Sequence, residues 1–189
     1  MKKHLILTFI YITIGMSCSS KAQTSNTNLS LSDKNATTET KILYKNLAQF
    51  VNKGILFGHQ DDLAYGVNWK YEAGRSDVKE VTGDYPSVYG WDLAGLEKKS
   101  DKNIDGIPFD KMRQYIKEGH SRGGIITLSW HFDNPLTGKN AWDITPKSLA
   151  SALPGGESHE KFKAWLDEGV KFILTLKDKN AKPIPILYR

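Results

Sequence analysis

A single cysteine, Cys18, stands in 189 residues, and it falls inside an N-terminal leader. No internal disulfide can brace the rest of the chain, which must be held by its own apolar core. No apolar run reaches the ~20 residues that cross a bilayer as a helix. Neither a Gly-x-Gly-x-x-Gly nor a Gly-x-x-x-x-Gly-Lys-Ser/Thr pattern occurs, so the dinucleotide and nucleotide fingerprints are missing. No two histidines stand at His-x-x-x-His spacing and no cysteine joins them, so the sequence offers no metal site, and no cofactor is expected. The formal charge of +5 includes Lys2 and Lys3 and is otherwise spread without a basic stripe, which gives no support to a nucleic-acid partner.

What is present begins with the leader. Met1-Lys2-Lys3-His4 is a basic start, and Leu5 to Met16 is an apolar stretch of signal-peptide length. Two processing readings stay open within residues 1–22. Cys18 follows the small Ser17 where a bacterial lipoprotein carries its lipidated cysteine, although Gly15-Met16-Ser17 departs from the usual lipobox. Cleavage after Ala22 fits the small-x-small pattern Ser20-Lys21-Ala22 instead. Either way the chain is expected to be exported, as an outer-membrane or surface lipoprotein or as a periplasmic or secreted protein, touching membrane only through a lipid anchor. Residues 19–38 are rich in Ser, Thr, Asn and Lys and read as a tether.

From residue 39 the pattern becomes structural. Leu43, Leu47, Phe50 and Val51 share one helical face before Gly54. Ile55 to Gln60 is a first strand candidate, followed by a loop to Gly74 and a short helical piece at Asp77–Val81. Pro86 to Asp92 is a second strand, and Phe109, Met112, Tyr115, Ile116 and Gly119 mark a helix face. Ile125 to Leu128 is a third strand. A long loop from Phe132 to Gly156 contains three prolines and Trp142. The helix at 158–177 carries acidic residues first and lysines last, as its dipole prefers. Pro183 to Arg189 is a fourth strand. Strands alternating with helices imply parallel pairing with right-handed crossovers.

In such sheets ligands bind where strands end. Trp130, His131 and Asn134 stand there, and an indole beside hydrogen-bonding groups suits a sugar ring; the competing reading has Trp130 packed under a loop and His131 structural. Asp92 and Asp133 lie at strand ends too, whereas Asp61, Asp62, Glu72, Asp77 and Glu97 fall in loops and are expected to be solvated.

Four groups in order, Phe57-Gly58-His59-Gln60, Tyr89-Gly90-Trp91-Asp92, Ser129-Trp130-His131 with Asn134-Pro135, and Pro185-Ile186-Leu187-Tyr188-Arg189, make the chain after residue 39 resemble glycoside hydrolase family 26, best known for endo-β-1,4-mannanases. The resemblance implies a (β/α)8 TIM barrel, of which residues 39–189 would supply the first half, strands one to four. It implies retaining hydrolysis by two glutamates, an acid/base in an Arg-Pro-x-His-Glu motif after strand four and a nucleophile after strand seven. Arg189 matches the arginine of the first motif, so both glutamates would lie beyond it and the chain alone is expected to be inactive. By matching positions His131 resembles a glycone-side residue, with Trp130, Trp91 and Asn134 as further sugar contacts and His59 and Asp92 as contacts or supports of the barrel floor. The implied partner is β-mannan, with mixed-linkage β-glucan or xylan as alternatives, and the full-length protein is expected to be a monomer. A non-catalytic sugar-binding lipoprotein, or an inactive remnant, is the other reading. Half a barrel is also expected to expose an open strand edge and apolar inner faces, and so to aggregate.

Overall fold

The Thr37 side chain accepts a hydrogen bond from the Thr40 N–H and so opens the first helix, α1 (Thr38–Phe50). The computed structural model describes residues 31–189. The signal-peptide reading, Cys18 and the tether up to residue 30 lie outside the described residues. α1 carries its expected apolar stripe, but nothing on it is buried, and Phe50 and Val51 are exposed.

Strand β1 (Gly58–Gln60) is shorter than its apolar run. Ile55 is almost wholly exposed, and the chain joins the sheet only where the Phe57 carbonyl accepts from the Ser87 and Val88 N–H groups. A two-stranded antiparallel hairpin follows, β2 (Tyr65–Gly66) with β3 (Trp69–Lys70), then α2 (Asp77–Thr82), capped by Ser76 and closed by Gly83 in the left-handed region. Next come β4 (Val88–Asp92), α3 (Phe109–Ser121), β5 (Ile125–Ser129), the short α4 (Ser148–Ala152) inside the long loop, α5 (His159–Leu174) and β6 (Ile186–Tyr188). β1, β4, β5 and β6 form one parallel sheet in chain order, Gly58 beside Val88, Val88 beside Ile125, and Ile126 beside Ile186.

Strand alternation decides what each face does. Tyr89 and Trp91 on β4, with Ile126 and Leu128 on β5, point to the helices and are fully buried with Met112, Tyr115 and Ile116 of α3. Trp91 stacks on Tyr115, ring centres 5.9 Å apart and planes 11° from parallel. The other face carries Gln60, Gly90, Asp92, Thr127, Ser129 and Leu187, so it is largely polar toward the strand ends. This corrects the expectation of apolar inner faces: the core lies between sheet and helices, and the open face turns polar toward the carboxyl ends of the strands.

Close approach of α3 to the sheet depends on glycine. A Cβ on Gly124 would stand 2.4 Å from Tyr89 Cε2 and 2.8 Å from the Gly119 carbonyl oxygen. Gly124→Ala is therefore expected to lower stability by about 1–3 kcal/mol, read as a shift of the urea midpoint. An unchanged midpoint would mean that Tyr89 has room the packing does not show.

Candidate active-site cleft

The carboxyl ends of β1, β4, β5 and β6 open into a cleft of about 510 Å³, within the usual range for a ligand site. Gln60, Asp92, Ser129 and Arg189 come from the strands or their ends; Ile104 and Asp105 come from the loop before α3; His131, Asp133, Asn140 and Trp142 come from the loop after β5. Gln60, Asp92 and Arg189 reach it because they share the open face. Arg189 Nη2 donates to Gln60 Oε1 at 3.5 Å, from the last strand to the first.

Asp92 is the fixed point. Its Oδ1 accepts from the N–H groups of Ala94 at 2.8 Å and His131 at 3.2 Å, and its Oδ2 from the Ser129 hydroxyl at 2.8 Å and His131 Nδ1 at 2.5 Å. Burial pushes its pKa up, but these hydrogen bonds outweigh that and hold it below the ordinary carboxylate range. An ionised carboxylate accepts only, so His131 donates from Nδ1 to Asp92 and its Nε2 is the ring nitrogen left for another partner. More than half of the His131 side chain is exposed. The pair can thus present one oriented nitrogen to a ligand hydroxyl. Asp133, alongside, is paired with Lys98 at 2.7 Å.

Of the six residues proposed from the sequence, the structure brings two together here, Asp92 and His131. Trp91 is a correction: alternation sends it to the helix side, where it is fully buried on Tyr115 and closed to any sugar. Trp130 is also displaced from the cleft. Its indole N–H donates to Glu97 Oε2 at 3.0 Å, its ring faces Gly169 of α5, and Phe132 meets it edge-on. Asn134 is buried as a loop clamp; its amide donates to Asp143 Oδ2 and Ser148 Oγ and its oxygen accepts from the Leu136 N–H, leaving no free edge for a sugar. His59 points away from the open face, and its Nδ1 pairs with Asp62 Oδ1 at 2.8 Å. The solvated-loop expectation fails for three carboxylates as well, because Asp61, Asp62 and Glu97 are buried.

Sequence reasoning missed Gln60, Asp105, Asn140 and Trp142 as cleft residues. Trp142, 85 % exposed at the cleft, had a usable signal: a tryptophan in a Pro/Gly-rich loop on the ligand side of the sheet.

The fold has known counterparts. The family model for glycosyl hydrolase family 26 matches residues 32–189. The chain belongs to that family. A mannan endo-1,4-β-mannosidase of Bifidobacterium adolescentis is 35 % identical over 176 residues, 89 % of this chain and 17 % of the relative. A family 26 β-mannanase structure from Bacteroides ovatus is 47 % identical and superposes with a TM-score of 0.79 over 82 % of this chain and 45 % of its own. The catalytic domain of an endo-β-1,4-mannanase from Bacillus sp. JAMB-750 gives 33 % and 0.76, over 85 % and 44 %. The chain therefore spans about a sixth of that curated relative and under half of those solved structures. Its four-stranded parallel sheet with helices on one side is part of the family 26 (β/α)8 barrel.

Proposed function

We propose that this glycosyl hydrolase family 26 chain serves the endo-hydrolysis of β-1,4-mannan, contributing the wall of the cleft that binds sugar. The supporting observation is the 47 % identity to a family 26 β-mannanase structure over 82 % of this chain. His131, oriented by Asp92, hydrogen-bonds a sugar hydroxyl through Nε2, and the exposed Trp142 indole offers a stacking surface at the rim. Export follows as part of the same reading, from the basic start and apolar stretch of residues 1–22.

The reacting carboxyls are assigned to later strands, as the family resemblance implies. Retaining hydrolysis needs two carboxyl groups about 5–5.5 Å apart, one of them an acid near neutral pH. Asp92 cannot be that acid, since four donors hold it ionised. Asp61 is sealed from the cleft, with 1 % of its surface exposed.

The test measures reducing ends released from β-mannan, mixed-linkage β-glucan and xylan. One sample is this chain alone; the other is this chain joined to the second half of the B. ovatus barrel. Hydrolysis of mannan by the fusion only is expected. Mannan hydrolysis by the chain alone would overturn the assignment of the carboxyls, and a fusion preferring glucan or xylan would overturn the substrate. In the active fusion His131→Ala is expected to lower kcat/KM on mannan about tenfold, the loss of one sugar hydrogen bond and of an oriented ring nitrogen.

A further inference from the structure

Two carboxylates beside the cleft are left without a role by that reading. Asp105 lines the cleft with Gln60, Asp92 and His131. Asn103, itself buried, holds it in place: the Asn103 amide donates to Asp105 Oδ2 at 3.2 Å and to the Asp92 carbonyl at 3.2 Å, and its Oδ1 accepts from the N–H groups of Asp105 and Ile107. The second carboxylate, Asp61, is buried. Its Oδ2 accepts from the Tyr65 hydroxyl at 3.1 Å, but Oδ1 is buried and receives no hydrogen bond from any donor of the described residues. A buried carboxylate oxygen without a donor is costly.

The Asp61 and Asp105 carboxyls are close enough for each to act on the other's proton. Two ionised carboxylates cannot bond, whereas one proton between them converts the orphaned oxygen into a donor and the repulsion into a hydrogen bond. We propose that Asp105 is a residue of the cleft that binds a sugar hydroxyl, positioned by a proton it shares with the buried Asp61. This rests on the sugar-cleft reading above and deepens it.

The surroundings agree. Burial first, then the charge of Asp105, push Asp61 up to about 7; the Tyr65 hydroxyl opposes them, Asp92 adds a lesser upward push and His59 a lesser downward one. Burial, then Asp92, raises Asp105 also, while Asn103, Asp61 and His131 act the other way. Asp61 has a backbone φ of +57°, a conformation that asparagine tolerates nearly as well as aspartate and most residues do not. Asp61→Asn thus keeps the backbone and substitutes a permanent amide donor for the proton. Below the midpoint Asp105 is held with its outer oxygen free for a sugar hydroxyl; above it, two like charges part and the binding geometry is lost.

The experiment follows mannohexaose and cellohexaose affinity for the 189-residue chain at pH 5.5 and 8.5, with the Asp61 carboxyl titration read by 13C NMR. Mannohexaose affinity is expected to fall at least fivefold across that range, to stay at its low-pH value in Asp61→Asn, and to be about tenfold weaker in Asp105→Ala at pH 5.5. An Asp61 midpoint in the ordinary carboxylate range, a flat wild-type profile, or an Asp61→Asn protein that retains the step would each overturn the proposal. So would wild-type affinity in Asp105→Ala. Binding of cellohexaose alone, with the step intact, would sink the mannan reading and leave the Asp61–Asp105 pair standing. If neither sugar binds, the contact role of Asp105 is overturned.

Discussion

Asp92→Ala is expected to lower the unfolding free energy by about 2–4 kcal/mol, the cost of leaving several donors without their charged acceptor. The substitution leaves the Ser129 hydroxyl and the Ala94 and His131 N–H groups without their acceptor and frees the His131 ring. Asp92→Asn is expected to lose less, because an amide oxygen still accepts, although its NH2 faces donors. The pH dependence has a definite sign. The folded Asp92 pKa lies below its unfolded value, so its stabilisation is complete above the ordinary carboxylate range and disappears as pH falls through the folded value. Wild type and Asp92→Ala should therefore differ most at neutral pH and converge in acid. Unfolding free energies from urea titration that differ by less than ~1 kcal/mol at pH 7 would show that the network holds without its carboxylate.

Asp61→Asn is expected to do the opposite. Asp61 moves from 3.8 to about 7 on folding. The folded chain binds the proton more tightly, so this group's contribution is complete below about pH 4 and is lost as pH rises toward 7, with little change above. Three pKa units correspond to roughly 4 kcal/mol. Asparagine does not ionise, so the variant should match wild type near pH 4 and exceed it at pH 8, by up to that amount. Thermal scans at both pH values, compared between the two proteins, isolate the effect. Parallel stability curves would show that Asp61 carries no proton at neutral pH.

The order of elements was legible because each has a period of its own. The α3 stripe of Phe109, Met112, Tyr115, Ile116 and Gly119 is buried to the last residue. The β2–β3 hairpin was not legible: two-residue strands show no alternation, and what fixes them is a carboxylate further along, Asp77, accepting from the Val67 N–H and the Trp69 indole. Trp91 was misplaced although its signal was present. In Tyr-Gly-Trp-Asp the alternation puts Tyr89 with Trp91 and Gly90 with Asp92, and two large aromatics belong against a helix layer. The burial of Asp61 had no local signal: its N–H donates to the Gly90 carbonyl of a strand about thirty residues on, and the carboxylates that act on it, Asp92 and Asp105, are at least as distant in sequence.

The link from Arg189 to Gln60 bears on mechanics as well as on the cleft. It is a chord, tying the two ends of a four-stranded bow across its hollow. Flattening the sheet would draw the two side chains apart, so their separation follows its curvature. Any distortion of the backbone that flattens the bow will register there and, through Gln60 and its neighbour Gly90, at the cleft floor in the same movement.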